Sequence, residues 1–462
     1  MTVATPRSEG LLRGRWIDDW RPEDESFWRG GGKKVANRNL WFSVFSEHIG
    51  FSIWSLFAVL VLFMPEQTYH IDTAGKFFLV SMPTLVGSVL RLPYTLAVAV
   101  FGGRNWTVIS AALLLVPTVL LAFFMQPGTS YTTFMVIAAI AGVGGGNFAS
   151  SMTNINAFFP EKEKGKALGL NAGGGNLGVA VIQLVGLLII ATAGTGAPRI
   201  LLAIYIPLIV LALVGSVFFM DNLTSVRNDT GALKEACSEA QTWIISFLYI
   251  GTFGSFIGYS FAFGLVLQNQ FGRTPLQAAT LTFIGPLLGS LIRPVGGALS
   301  DRIGGVRVTF WNFVAMAVAA LICIWASAID SLPIFVIGFV LLFITSGIGN
   351  GSVYKMIPAI FRTKALASSE TRGWDQEAAL LWARRISGAV IGIAGAIGAF
   401  GGLLINLAFR QSFLTTTSGS PAFWAFLAFY AVCFVVTYLV YMRTPKAATD
   451  PTTGSKVSYA SV

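Results

Sequence analysis

Long apolar blocks, separated by short polar or charged stretches, recur along the whole chain. A helix needs about 20 apolar residues to cross a bilayer, and these blocks are about that long or longer. The pattern predicts an all-α polytopic membrane protein with twelve transmembrane helices. Their predicted bounds are 40–64, 75–101, 105–125, 131–156, 165–193, 197–220, 241–267, 275–300, 305–328, 332–358, 385–408 and 421–443.

Composition and charge strengthen this interpretation. Only 11% of the 462 residues are charged, against about 25% in a soluble domain, and the mean hydropathy is +0.70. Most of the 31 Lys and Arg residues fall on the side of the predicted helices that carries the amino terminus; the exceptions outside the helices are Lys76, Arg199, Arg273 and Arg410. Positively charged loops stay in the cytoplasm, so we expect a plasma-membrane protein with both termini cytoplasmic. The net charge of +10 then reflects topology and lipid contact rather than nucleic-acid binding.

The two halves of the chain resemble each other. An offset of 202 residues places Phe51 on Phe253 and Arg91 on Arg293, and an offset of 203 places Asn147 on Asn350. We therefore predict two pseudo-symmetric six-helix bundles arranged as parallel repeats, which is similar to the architecture of the major facilitator superfamily. The predicted domains are a cytoplasmic segment at 1–39, bundles at 40–220 and 241–443, a linker at 221–240, a cytoplasmic insertion at 359–384 and a tail at 444–462.

Arg91 and Arg293 are the residues that most need an explanation. A charge at the centre of a bilayer costs about 2.5–3.5 kcal/mol even on lenient scales, so both side chains should face the protein interior. Glu47 is the only acid within the predicted helices apart from Asp301 at a loop edge. One acid cannot neutralise both arginines and Lys355, so the arginines are predicted to bind a mobile anion.

The surrounding residues suggest which anion this is. Arginine presents a planar fork of donors that suits planar oxyanions. The nearby predicted helices carry aromatic residues (Phe51, Phe148, Tyr249 and Phe253) and few of the polar groups that a sugar site needs. Two glycine-rich stretches, "GKALGLNAGGGNLG" at 165–178 and "GAVIGIAGAIGAFGG" at 388–402, occupy corresponding positions of the halves, and Asn176 adds an amide. Together these features favour a small, weakly hydrated monovalent anion.

Several motifs resemble those of the NarK-type nitrate/nitrite porter family. They include "DDWRPEDESFW" (18–28), "LRLPYTLAVAVFGGRNWT" (90–107), "GGNFASSMTNINAFFP" (145–160), "LYIGTFGSFIGYS" (248–260) and the two glycine-rich stretches. The resemblance runs nearly end to end. It implies that Arg91 and Arg293 bind nitrate or nitrite, that the four aromatic residues enclose the anion, and that Asn176, Gly174 and Gly395 complete the site. We expect no cofactor and no metal, and we expect a monomer to be functional.

Glu47-His48 and Lys355 depart from the uncharged residues of close relatives, and they leave the coupling mechanism open. Glu47 and Lys355 could form an ion pair that closes an inner gate. Alternatively, Glu47 or His48 titrates during turnover, and nitrate enters with protons. Without such a group, two mutually repelling arginines disfavour return of the empty carrier, so the protein exchanges nitrate for nitrite.

Other functions receive less support from the sequence. The chain has two histidines, His48 and His70, and no clustered ligands or nucleophile with an adjacent base, so we expect no enzyme. Transport of another small monovalent anion remains an alternative.

Overall fold

A computed structural model describes residues 15–226, 229–369 and 373–443, together with two short strands further on, Ala447–Thr449 and Lys456–Ser458. Eleven helices in the described part of the chain are long and apolar enough to cross a membrane, and a bent pair makes a twelfth span. We number these spans from the amino terminus. They are Glu25–Trp54 with Leu56–Phe63, Thr73–Phe101, Gly103–Phe124, Tyr131–Phe158, Glu161–Ala193, Arg199–Phe219, Ala240–Phe271, Pro275–Ile303, Gly305–Ala328, Leu332–Ala367, Gln376–Thr415 and Ser420–Met442.

The predicted number and order of the helices are confirmed, but several helices extend further than the apolar blocks. The tenth span continues to Ala367, and the eleventh begins at Gln376. Most of the described residues in the predicted insertion at 359–384 therefore belong to these two helices. Asp375 caps the eleventh span by accepting a hydrogen bond from the Ala378 amide at 2.7 Å. Hydropathy detects only the part of a helix that lies in lipid, so the charged helix ends escaped prediction.

The first span bends by 47° between Trp54 and Leu56. Ser55 lies at the bend, and its hydroxyl donates to the carbonyl oxygens of Phe51 at 2.9 Å and Ser52 at 3.2 Å. A serine that bonds back to its own helix in this way competes with the backbone ladder and bends the helix. The bend orients Trp54, whose role is described below.

Residue contacts divide the chain into two compact units. The first comprises Met1–Asn228 with Arg273–Phe283, and the second comprises Asp229–Gly272 with Ile284–Val462. The helix Thr230–Ser238, inside the predicted linker, groups with the second unit. The predicted boundaries of the six-helix bundles themselves stay a prediction.

In the first unit, the described part of the predicted segment 1–39 is folded against the ends of the spans. The strand Trp16–Ile17 pairs in parallel with Asn222–Leu223. The Trp20 indole donates to the Phe158 carbonyl oxygen at 3.2 Å. A hydrophobic cluster joins this segment to the first, fourth and fifth spans and to the strand Asn222–Leu223; its buried members are Ile17, Trp20, Trp28, Ala36, Leu40, Ile155, Phe158, Phe159, Ala167 and Leu223.

In the second unit, polar contacts attach the helix Thr230–Ser238 to the eleventh span. Arg385 bonds to Asp229, with one N–O distance of 2.9 Å, and also to Glu235 at 2.9 Å. Trp382 donates to the same Glu235 at 2.6 Å. The bonds from Arg385 lower the pKa of Asp229 to about 2, so its carboxylate remains ionised at physiological pH.

We predict that Trp20→Ala destabilises the protein by about 3–5 kcal/mol, because a buried indole and its hydrogen bond are lost. Trp41→Ala is the matched control, since Trp41 is 59% exposed. Thermal denaturation of the purified proteins in detergent should show a much lower midpoint for Trp20→Ala alone. Equal midpoints for the two variants would contradict a stabilising role for the amino-terminal segment.

Candidate anion-binding site

Arg91 lies in the second span and is completely buried. Its Nε donates to the Gly145 carbonyl oxygen at 3.2 Å. The guanidinium carbon lies 4.7 Å from the ring centroid of Phe148 and 5.5 Å from that of Trp54. Aromatic faces attract a cation most strongly where water is excluded, so these two rings stabilise the buried charge.

Two glycines make room for Trp54 beside the arginine. A Cβ on Gly87 would lie 2.5 Å from the Trp54 Nε1, and a Cβ on Gly145 would lie 2.7 Å from the same ring. The indole donates to the Pro83 carbonyl oxygen at 2.7 Å. Helix packing in membranes relies on such small residues. Here they admit an aromatic ring that a side chain would exclude.

Phe51 completes the aromatic group in the first unit. Its ring centroid lies 6.1 Å from that of Phe148 and 5.4 Å from that of Trp54. The structure therefore brings together Arg91, Phe51 and Phe148, as predicted from the sequence. Sequence analysis missed Trp54, although a tryptophan in mid-span is unusual because tryptophan favours the membrane interface.

Arg293 lies in the eighth span, within the second unit, and is also buried. Its Nη2 donates to the Tyr249 hydroxyl at 3.3 Å, and its guanidinium carbon lies 5.5 Å from the Tyr354 ring centroid. Tyr249 in turn stacks on Phe253, with ring centroids 5.2 Å apart and an interplanar angle of 8°. Tyr354 was missed by sequence analysis, since no repeat equivalence pointed to it.

The second glycine-rich stretch contacts this aromatic group directly. A Cβ on Gly398 would overlap the ring of Tyr249, and Gly254 packs against Gly401 with no side chain on either residue. The seventh span widens into a π-helix at Ile250–Gly254, immediately after Tyr249. Such bulges are frequent at functional sites. Gly395 is buried on the same helix, one turn before Gly398.

Asn176 lies in the first glycine-rich stretch, in the fifth span. It is buried, and neither of its amide atoms has a hydrogen-bond partner among the described residues. A buried amide normally finds a partner, so Asn176 is available to a polar ligand or to water. Gly174 supplies its carbonyl oxygen to His48 Nδ1 at 3.0 Å. A carbonyl only accepts hydrogen bonds, so this contact places a proton on Nδ1.

The candidate gating residues each have a partner within their own unit. Glu47 is 1% exposed and accepts hydrogen bonds from the Ser151 hydroxyl at 2.5 Å and the Asn171 amide at 2.6 Å. Lys355 pairs with both carboxylate oxygens of Asp301, at 2.8 and 2.9 Å. Because Glu47 and Lys355 belong to different units, the hypothesised ion pair between them stays a prediction.

Comparison with known proteins identifies the family. Residues 40–369 match the sequence model of the Major Facilitator Superfamily. The chain is 40% identical to the nitrate/nitrite transporter NarU of Salmonella typhimurium, over 93% of this chain and 97% of that protein. It is 32% identical to the probable nitrate/nitrite antiporter NarK2 of Thermus thermophilus, over 95% and 99% of the respective chains. The chain belongs to the NarK-type nitrate/nitrite porter family of the major facilitator superfamily.

Two solved structures of other transporters align with the fold of this porter. The xylose transporter XylE of E. coli, in a partially occluded inward-open conformation, aligns with a TM-score of 0.65 over 88% of this chain and 98% of that one. A bacterial homologue of the human lysosomal transporter Spinster aligns with a TM-score of 0.63. At 13% and 14% sequence identity these similarities concern the fold alone. The predicted major facilitator fold and the multi-pass membrane location are confirmed.

We predict that Gly145→Ala destabilises the protein by about 1–3 kcal/mol, because the new methyl group must displace Trp54 or the helix itself. Gly173→Ala is the control, since a Cβ there meets nothing within 4 Å. Removing a helical glycine should leave that control unchanged or slightly more stable. Thermal midpoints in detergent test this, and a stable Gly145→Ala protein would show that the packing around Arg91 tolerates change.

Proposed function

We propose that this protein carries nitrate and nitrite across the plasma membrane by alternating access, exchanging one anion for the other. Family membership supports the class of protein, and the names of the similar proteins NarU and NarK2 support the substrates. The observation that carries the proposal is a buried arginine with aromatic neighbours in each unit, at equivalent positions of the sequence repeat.

The anion is recognised by its charge, its flat shape and its weak hydration. Arg91 and Arg293 offer planar forks of donors that match an oxyanion with two or three acceptor oxygens. Phe51, Phe148 and Phe253 present apolar faces that a strongly hydrated anion would avoid. The remaining proposed contacts come from the Tyr249 hydroxyl, the Asn176 amide and the backbone at Gly174 and Gly395.

Exchange follows from the charge of the empty site. With no anion bound, two arginines remain in a medium of low dielectric constant, which opposes any closing of the carrier around them. A bound anion compensates part of this charge, so the loaded carrier changes conformation more readily than the empty one. Uptake of one anion against an inside-negative potential costs about 2.3 kcal/mol per 100 mV, whereas exchange of two monovalent anions moves no net charge.

The distribution of Lys and Arg supports an orientation with both termini in the cytoplasm. The basic stretches "GGKKVANR" (31–38) and "EKEKGK" (161–166) then lie at the level of anionic lipid headgroups. We propose that the monomer is the functional form and that no nucleic acid takes part.

Proteoliposomes loaded with nitrite, or with an inert buffer, test the exchange mechanism. We expect nitrate uptake only into nitrite-loaded vesicles, at equal pH on both sides. Uptake into nitrite-free vesicles that requires an inward proton gradient would instead establish symport. Absence of nitrate movement under every condition would overturn the proposed function and favour another small anion, which competition for binding would identify.

Arg91→Lys and Arg293→Lys should each weaken nitrate binding by about 100-fold, because an ammonium group cannot present two parallel donors in a planar fork. Isothermal titration of the purified proteins measures this. Arg29→Lys is the matched control, because the Arg29 side chain is 79% exposed and pairs only with neighbouring Glu25 among the described residues. Normal affinity in both site variants would refute recognition by two arginines.

A further inference from the structure

Three spans of the first unit carry two successive layers of side chains. Phe51, Phe148 and Asn176 belong to the proposed anion site. Glu47, Ser151 and Asn171 lie about one helical turn away on the same three helices. At a rise of 1.5 Å per residue, the axial separations are about 6 Å in the first span, 4.5 Å in the fourth and 7.5 Å in the fifth. The second layer is therefore a direct neighbour of the first.

The second layer is a connected hydrogen-bond cluster around a buried carboxyl group. Ser151 Oγ bonds to Glu47 Oε2 at 2.5 Å and lies 3.0 Å from Ser43 Oγ. Asn171 Nδ2 donates to the same carboxylate oxygen at 2.6 Å. Gly175 makes room for the other oxygen, since a Cβ there would overlap Glu47 Oε1. The first glycine-rich stretch thus packs against the carboxyl group through Gly175, the residue next to Asn176.

We propose that Glu47 is a proton-binding site linked to the anion site, so that nitrate binds most tightly when this carboxyl group is protonated. The inference rests on the proposed function: the proton on Glu47 accompanies whichever anion is bound, so nitrate and nitrite still exchange one for one and no net charge moves. An anion that enters the adjacent layer repels a negative charge on Glu47. The carboxylate then takes up one proton from solution, which forms an O–H bond and removes that repulsion. Because linkage is reciprocal, protonation of Glu47 strengthens anion binding by the same factor.

The neighbours of Glu47 can form hydrogen bonds with its ionised and with its protonated carboxyl group. A serine hydroxyl can rotate, so Ser151 donates to the ionised carboxylate and can accept from the protonated acid. Ser43 gives the Ser151 hydroxyl a second partner in either orientation. The Asn171 amide can donate to a carboxyl oxygen in both states. Protonation of Glu47 therefore leaves its hydrogen-bond partners in place.

Other titratable groups on the spans packed against the first span lie outside the hydrogen-bond cluster of Glu47. His48, the next residue, holds the Gly174 carbonyl through Nδ1. Arg91 on the second span contacts the Gly145 carbonyl and two aromatic rings. Tyr205 is the titratable side chain in the middle of the sixth span, and Lys166 lies five residues before Asn171 on the fifth. From Val143 to Phe158 the fourth span has no titratable side chain. His48 is the main alternative to Glu47 as the proton-binding group, so a His48 variant is included in the test.

The test measures nitrate affinity by isothermal titration from about pH 5 to about pH 9, a range that buried glutamates can reach. For the unaltered protein we expect the Kd to rise about tenfold with pH, and an indicator dye in weak buffer should report proton uptake when nitrate is added. Glu47→Gln keeps the size of the side chain without a titratable proton. Its Kd should remain at the low-pH value throughout, with no proton uptake.

Two further variants sharpen the assignment. Ser151→Ala removes a donor to the carboxylate, so the change in affinity should move to higher pH. His48→Gln should retain the pH dependence, as should Glu66→Gln, which alters an exposed acid outside the cluster. The proposal is overturned if the unaltered protein shows no pH dependence, or if His48→Gln abolishes it while Glu47→Gln does not. Failure of the unaltered protein to bind nitrate at any pH would instead overturn the proposed function, and the inference with it.

Discussion

A permanent cation in the interior of a membrane helix is the constraint around which the first unit is organised. Arg91 cannot lose its charge, and burying it without compensation would cost several kcal/mol. The unit meets this cost with a backbone carbonyl and two aromatic rings. The Trp54 ring fits only because Gly87 and Gly145 have no side chains. A buried charge thus determines helix packing over three spans.

The second unit stabilises the equivalent arginine by different means. Arg293 donates to the Tyr249 hydroxyl and lies near the Tyr354 ring, whereas Arg91 donates to the Gly145 carbonyl and lies near Phe148 and Trp54. The repeat preserves the arginine and the Phe51/Phe253 position but not every residue around them. This difference has a chemical consequence, because tyrosine hydroxyls bring hydrogen-bonding groups close to Arg293, whereas the rings close to Arg91 are those of Phe148 and Trp54.

The spans and both arginines could be predicted because each produces a local signal: an apolar block, or a charge inside one. The grouping of Phe51 with Phe148 also followed from the sequence. Trp54 and Tyr354 did not, because their contact with an arginine depends on helix rotation and on small residues elsewhere in the chain. The folding of the segment around Trp20 was missed for a related reason, since a polar segment with scattered tryptophans gives no periodic pattern.

The first glycine-rich stretch connects the proposed anion site to the buried carboxyl group. Gly174, Gly175 and Gly178 pack, in order, against Val44, the Glu47 carboxyl and the His48 carbonyl. Asn176 lies between the second and third of these contacts on the same helix. Any shift of the fifth span against the first therefore moves the Asn176 amide and the surroundings of Glu47 together. The proposed anion binding and the proposed proton binding share one helix pair, because glycine lets the backbones approach closely.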